Sequence, residues 1–354
     1  MDERSMDFLK RLMGTISPSG AEQEGARVWR EEADTFAEKV WGDSHGNSFA
    51  MLNEGGSPRV MFAGHVDEIG LMVTHIDDNG FLYVQTIGGW DPQILPGQRV
   101  HLRTRHGDIT GVLGKKPIHL IDKDERDKAV KVEDVWIDIG ANDKDEAQGL
   151  VRIGDTGVIQ YGFEELRNGL LVSRGFDDRV GAFVVLEAAR RLADMSPSAE
   201  VIAVGTAQEE VGLRGAQTST FGLAPDVGVA VDVGFASDFP TMEEMKKKVG
   251  DVKLGHGPMI ARGPNINPVV YDHFVRTADA NDIPWQPNGE PRGTGTDANA
   301  IQLSRAGVAT QLIGLPNRYM HTPGELVHAD DLTHSAQLIA HTVAGFDADI
   351  DLTA

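Results

Sequence analysis

Glu209 and Glu210 stand side by side at the end of the apolar run 201–208. Two carboxylates closing a buried strand are costly unless a cation meets them. Four other strand-like segments also end in groups that can ligate a metal. The run from Arg59 ends in His65 and Asp67, the run from Leu171 in Asp177 and Asp178, and the run from Asp226 in Asp232. The run from Val308 is followed by His321. Open α/β sheets place ligand sites outside the carboxyl ends of their strands. The five ends therefore describe one site, assembled from residues distant in sequence. Zinc takes His nitrogen and carboxylate oxygen, and a catalytic site keeps one position open. Two metals about 3.5–4 Å apart, bridged by a carboxylate, form a clamp for hydrolysis. His65, Asp177, Glu210, Asp232 and His321 supply the five ligands, and Glu209 is left over. Asp67 lies on the same side of an extended segment as His65, where its side chain can accept the second ring N–H of that histidine.

These side chains need elements to hold them. Residues 6–40 read as helix, because Phe8, Leu9, Leu12 and Met13 repeat with helical spacing. Ser17-Pro-Ser-Gly20 breaks it before a second helix from Ala21. From about Gly70 to about Gly162 the texture becomes short alternating stretches separated by turn signals such as Asp78-Asn-Gly80 and Pro96-Gly97. That segment reads as an all-β insert, with Gly88-Gly89-Trp90-Asp91 a turn and Trp90 packing within it. After it, strands at 201–207, 227–231 and 308–314 alternate with helices at 180–192, 267–280 and 329–346. The pattern predicts an α/β fold: a mixed central sheet flanked by helices, interrupted by an inserted all-β domain. Asp297 either caps a helix running into Ala298-Asn-Ala-Ile301 or forms part of a pocket wall. Met242-Glu-Glu-Met-Lys-Lys-Lys-Val249 reads as a charged surface stretch.

Composition narrows the function classes. At 354 residues the chain fits two domains. It has no cysteine, so any metal sits on nitrogen and oxygen. The net charge of -21 argues against nucleic acid or an anionic membrane as partner, since both reward a basic face. It reflects either genome composition or a salt-adapted host. No apolar run approaches the ~20 residues of a membrane span, and no secretory signal is visible. The expected location is cytoplasmic.

Six motifs occur in order: Ala63-Gly-His-Val-Asp-Glu-Ile-Gly70, Gly175-Phe-Asp-Asp-Arg-Val-Gly181, Gln208-Glu-Glu-Val-Gly-Leu-Arg-Gly215, Val231-Asp-Val233, Gly293-Thr-Gly-Thr-Asp-Ala298 and Tyr319-Met-His-Thr322. Over nearly its whole length the chain resembles the tetrahedral (TET) aminopeptidases, dinuclear-metal exopeptidases that include glutamyl, leucyl and deblocking enzymes. The resemblance implies a zinc-exopeptidase-like catalytic domain at 1–69 and 163–354, and a barrel-like dimerisation domain at 70–162. It implies two divalent ions per chain, zinc first, with cobalt or manganese as alternatives. His65 and Asp232 would hold one metal, Glu210 and His321 the other, and Asp177 would bridge them. Asp178 would not be the bridge. Glu209 would be the general base; with Asp67, placed by its spacing to His65, it makes up the expected catalytic pair. The implied substrates are short peptides cut at free N-termini, and the implied assembly is a homo-oligomer, dimers building a tetrahedral dodecamer. The segment Gly293-Thr-Gly-Thr-Asp297 departs from the commoner all-glycine version, which leaves the side-chain preference open.

Two rival readings have distinct signatures. Some members of the family are labelled endoglucanases, and a carboxylate pair can cleave sugars. A glycosidase needs neither His65 nor His321, however, and aromatic residues make up only 6% of the chain, leaving few platforms for sugar stacking. A non-catalytic scaffold on the same fold would show decay of the site, whereas every candidate residue is present.

Overall fold

The computed structural model describes residues 1–354, Glu125 by its backbone alone. At its centre is an eight-stranded mixed sheet. Its strands run in the order Lys39–Gly42, Ser48–Leu52, Glu200–Thr206, Arg59–His65, Val227–Phe235, Ala309–Asn317, Met259–Arg262 and Gln286–Gly289. The four strands from Glu200–Thr206 to Ala309–Asn317 are parallel. They are the near-continuous apolar runs of the sequence, as strands covered on both faces must be. Alternate residues serve two cores: Val60 and Phe62 face one, Met61 and Ala63 the other. The first core lies under Phe176–Ala193 and Ala329–Ala344, and the second under Arg214–Leu223 and Asp297–Ile301.

Residues 70–159 leave this sheet and close a separate antiparallel barrel. Around it run Gly70–Ile76, Leu82–Ile87, Trp136–Asp138, Gly107–Gly114, Arg99–Thr104 and Thr156–Ile159. Every second residue points inward, so Val100 and Leu102 on one strand join Leu71, Val84, Leu113 and Ile137 in a core of its own. Trp90 packs against that core. The segment is not purely β, because Lys144–Leu150 is a helix capped by Asp143, whose side chain accepts the Glu146 N–H.

The N-terminal region differs from its periodicity. Helices span Glu3–Met13 and Gln23–Ala33, and the chain then turns into the hairpin Lys39–Gly42 and Ser48–Leu52. Trp41 stacks on Phe49 there at 4.9 Å, a cross-strand pair that outweighs the helical reading up to residue 40. Leu170–Ser173 is not part of the central sheet either. It pairs antiparallel between Glu164–Glu165 and Glu325–His328 in a small three-stranded sheet. Among the described residues no helix is long and apolar enough to cross a membrane.

Candidate metal centre

The strand Arg59–His65 is paired with Glu200–Thr206 along its full length, ending at Thr206 opposite His65. On its other side, pairing with Val227–Phe235 ends at Ala63 opposite Ala230. Beyond that point the two parallel strands part and a crevice opens, flanked by His65 and Asp232. Asp232 thus stands within its strand and not at its end. The crevice is closed from below by the helix Phe176–Ala193, which crosses at the backbone of Gly64. A Cβ on Gly64 would lie 2.5 Å from the carbonyl carbon of Gly181, so only glycine lets helix and strand meet there. The first turn of that helix is irregular, with Asp177 and Asp178 in non-helical backbone. Its side chains are thereby turned towards His65.

Asp177 lies between two imidazoles. Its Oδ1 is 3.3 Å from His65 Nε2, and its Oδ2 is 3.1 Å from His321 Nε2. Glu210 Oε1 is 3.5 Å from His321 Nε2, and Glu209 Oε2 is 3.7 Å from His65 Nε2. Two overlapping triads bring ligand atoms within 4.8 Å of one another: His65, Asp177 and Glu210, and His65, Asp178 and Asp232. Asp178 therefore enters the cluster as a neighbour of Asp232. Its oxygens also accept the N–H groups of His65 and Gly181. The Asp67 side chain has a different task from the one its spacing suggests. The carbonyl oxygen of Asp67 is the group at 3.0 Å from His65 Nδ1, and its carboxylate is farther away at 3.5 Å. That carboxylate accepts the N–H groups of Glu209 and Glu210, at 3.1 and 3.2 Å, and the Ser19 hydroxyl at 2.7 Å. It holds the turn carrying the two glutamates.

Three further supports surround these side chains. Glu325 stands opposite Ser173 in the small sheet, and its two oxygens accept the N–H groups of Asp177 at 3.0 Å and His321 at 2.8 Å. Gly89, from the barrel, accepts a hydrogen bond from His321 Nδ1 at 2.7 Å. Asp297 neither caps its helix, where Thr296 holds the N-cap position, nor lines the cavity. It is buried and accepts the Thr206 hydroxyl at 2.5 Å. The Gly88-Gly89 pair carried a sequence signal as a turn, and Asp297 stood in a motif as a cap or a pocket wall. The contacts of Glu325 and Asp297 depend on pairings that have no local signature.

The charges in this cluster are unbalanced. Burial, with the charges of Asp232, Asp297 and Asp177, pushes Glu209 up to about 10 against the opposing pull of His65. Burial and the charge of Asp177 raise Asp232 well above the carboxylate range. Asp177 moves the other way: burial raises it, but the His321 and His65 rings beside it hold it well below its ordinary value. The adjacent carboxylates of Asp177 and Glu210 lift His321 to about 11. His65 is raised as well, because the charges of Glu209 and Asp67 outweigh its burial. Yet His65 Nε2 and Glu210 Oε1 are buried with no hydrogen-bond partner. Unpaired buried polar atoms amid surplus carboxylates fit a divalent cation. The donor set of imidazole nitrogen and carboxylate oxygen suits zinc, cobalt or manganese.

The cluster forms one end of a cavity of about 720 Å3. Asp177, Glu209, Glu210, Asp232 and His321 line that end, Met259, Leu312 and Met320 give it apolar walls, and Lys248 and Arg292 also border it. Lys248 thus places the charged 242–249 stretch at the cavity and not merely on a solvated face.

The model of the M42 glutamyl aminopeptidase family matches residues 46–338. A lysyl aminopeptidase of Pyrococcus furiosus is 37% identical over 336 residues, 94% of each chain. The crystal structure of a TET aminopeptidase from a marine sediment Thaumarchaeota archaeon superposes with a TM-score of 0.92 at 35% identity, covering 98% of this chain and 97% of that one. The TET1 peptidase of Pyrococcus horikoshii, which can assemble into a tetrahedron or a large octahedral shell, superposes with a TM-score of 0.85 at 32% identity, covering 96% and 99%.

Proposed function

This chain belongs to the M42 glutamyl aminopeptidase family, and from that premise we propose that it removes N-terminal residues from short peptides at a two-metal centre, with Glu209 as general base. It is a metal-dependent hydrolase of the aminopeptidase class. The observation that carries the finer reading is Asp177, which presents one oxygen to His65 and the other to His321. A carboxylate so placed would be shared between two metal positions. His65 and Asp232 would hold one ion, and Glu210 and His321 the other. Bound metal would supply a Lewis acid and an activated water at neutral pH.

The rest of the mechanism belongs to the chain's own groups. Glu209 faces the cavity from the turn held by Asp67, and its carboxylate is free to take a proton from the attacking water and pass one to the leaving amine. The apolar walls seat a side chain and exclude water. The catalytic domain comprises 1–69 and 163–354, and 70–162 is the dimerisation domain of a homo-oligomer. The supports for that assembly are the shells formed by the Pyrococcus horikoshii relative and the exposed Val112, Ile118 and Leu120 on the barrel.

Glu209→Gln tests the assignment of the base. It should retain both metals and lose about 10²–10⁴-fold in turnover of an aminoacyl chromogenic substrate. Glu210→Gln should lose metal instead. A Glu209→Gln enzyme within tenfold of wild type would discard Glu209 as base.

A further inference from the structure

His321 is poorly held by packing. Its side chain is 34% exposed, it lies in the loop between Ala309–Asn317 and Glu325–His328, and its backbone is left-handed, with φ at 60°. Such a conformation persists only where surrounding contacts over-determine it. Two contacts do so. Glu325 fixes the main-chain N–H, and the carbonyl of Gly89 fixes the ring. A carbonyl can only accept, so Nδ1 carries the hydrogen of this bond. In the neutral ring the lone pair is then on Nε2, the atom that faces Asp177 and Glu210.

Gly89 belongs to the barrel. It follows the strand Leu82–Ile87 and precedes Trp90, which is packed on the barrel core. The approach is close: a Cβ on Gly89 would lie 3.1 Å from His321 Nδ1 and 3.3 Å from its Cε1. One on Gly88 would lie 3.2 Å from Glu210 Oε2. The same two-residue turn therefore borders two side chains of the centre.

We propose that the barrel is a working part of the metal centre, and that Gly89 is a positioning residue whose carbonyl sets the tautomer and orientation of His321 for ligation. The inference rests on His321 being a ligand. Metal-bound histidines are generally oriented by a partner on the second ring nitrogen, and loss of such a partner typically costs about 10–100-fold in metal affinity. Here that partner comes from another domain. A disturbance of the barrel is thereby transmitted to the metal without touching any ligand.

The test is Gly89→Ala in the full chain. Gly89 does not have a positive φ, so alanine suits the backbone while its methyl presses on the imidazole. Cobalt is titrated into metal-free protein, followed by equilibrium dialysis and by the visible absorption of the bound ion. One equivalent should bind about 10–100-fold more weakly with an altered spectrum, while thermal unfolding of the metal-free protein and particle size stay as in wild type. Gly149→Ala, in the barrel helix with no atom within 4 Å of the added Cβ, should bind as wild type. Wild-type affinity and spectrum in Gly89→Ala overturn the proposal, as does equal weakening in Gly149→Ala. His321→Ala separates the premise: if it binds cobalt undiminished, His321 is not a ligand at all. Should Gly89→Ala fail to fold, long-range proton–nitrogen correlations on histidine-labelled, zinc-loaded wild type decide. The His321 signal, assigned by its loss in His321→Ala, should be the Nδ1–H tautomer, and an Nε2–H tautomer overturns the proposal.

Discussion

Gly64→Ala would perturb the centre without altering a single polar group. The new methyl carbon would meet Gly181 C at 2.5 Å, Ala182 N at 2.6 Å and Gly181 O at 2.7 Å. All three are backbone atoms, so no rotamer change relieves the contact. Ordinary contact begins at 3.4 Å, and reaching it from 2.5 Å requires helix and strand to separate by about 0.9 Å. Asp177 stands in the first turn of that helix and His65 directly follows Gly64, so the separation opens the 3.3 Å gap between them. Misplacement of about 1 Å in a catalytic array costs on the order of 10²-fold, or about 2.7 kcal/mol in the barrier. Overpacking of this kind also destabilises by about 1–3 kcal/mol. The assay is kcat and kcat/KM on an aminoacyl p-nitroanilide at saturating metal, with bound metal and denaturant unfolding measured on the same samples. Turnover within threefold of wild type, at full metal content and unchanged stability, would refute the argument that this backbone contact sets the spacing of the centre.

Metal uptake should release protons. His65 and His321 are both raised above the ordinary histidine value, so in metal-free protein they stay charged through neutral pH and deprotonate only towards the raised value, about 11 for His321. Ligation needs neutral rings, so apparent affinity should rise with pH, about tenfold per unit for each proton released. Titration calorimetry in buffers of different ionisation enthalpy measures this, and binding without proton release contradicts it. Glu68→Gln should destabilise the fold by roughly 3–5 kcal/mol, because Glu68 is buried between Arg174, at 2.9 Å, and Arg179, at 3.1 Å, and its loss strands two cations. A change below about 1 kcal/mol in denaturant unfolding would mean the pair is neutralised some other way. Ile118→Asp with Leu120→Asp should yield smaller particles by light scattering while cobalt affinity is unchanged, since both side chains are exposed on the barrel at 58% and 64%. Unchanged particle size would move the subunit contact elsewhere.

What the sequence by itself determined was local. Period-two alternation in 99–104 marks a strand with one buried face, and the barrel core duly takes Val100 and Leu102 from it. The unbroken apolar runs that lead to His65, Glu209 and Asp232 mark strands covered on both faces, and these lie side by side in the central sheet. Such signals are legible because burial repeats with the period of the element. The strand 39–42 was hidden for the same reason: only four residues long, it follows a helix and owes its place to Trp41 meeting Phe49 across a hairpin. Tertiary structure alone decided the wiring of the centre. Asp177 reaches it from the irregular first turn of a helix, Asp178 closes on Asp232, Glu325 ties Asp177 to His321, and Gly89 brings the barrel to the imidazole. A hydrogen bond between residues 232 positions apart leaves no periodicity in either segment. It exists only because two independently built cores place a carbonyl and a ring 2.7 Å apart.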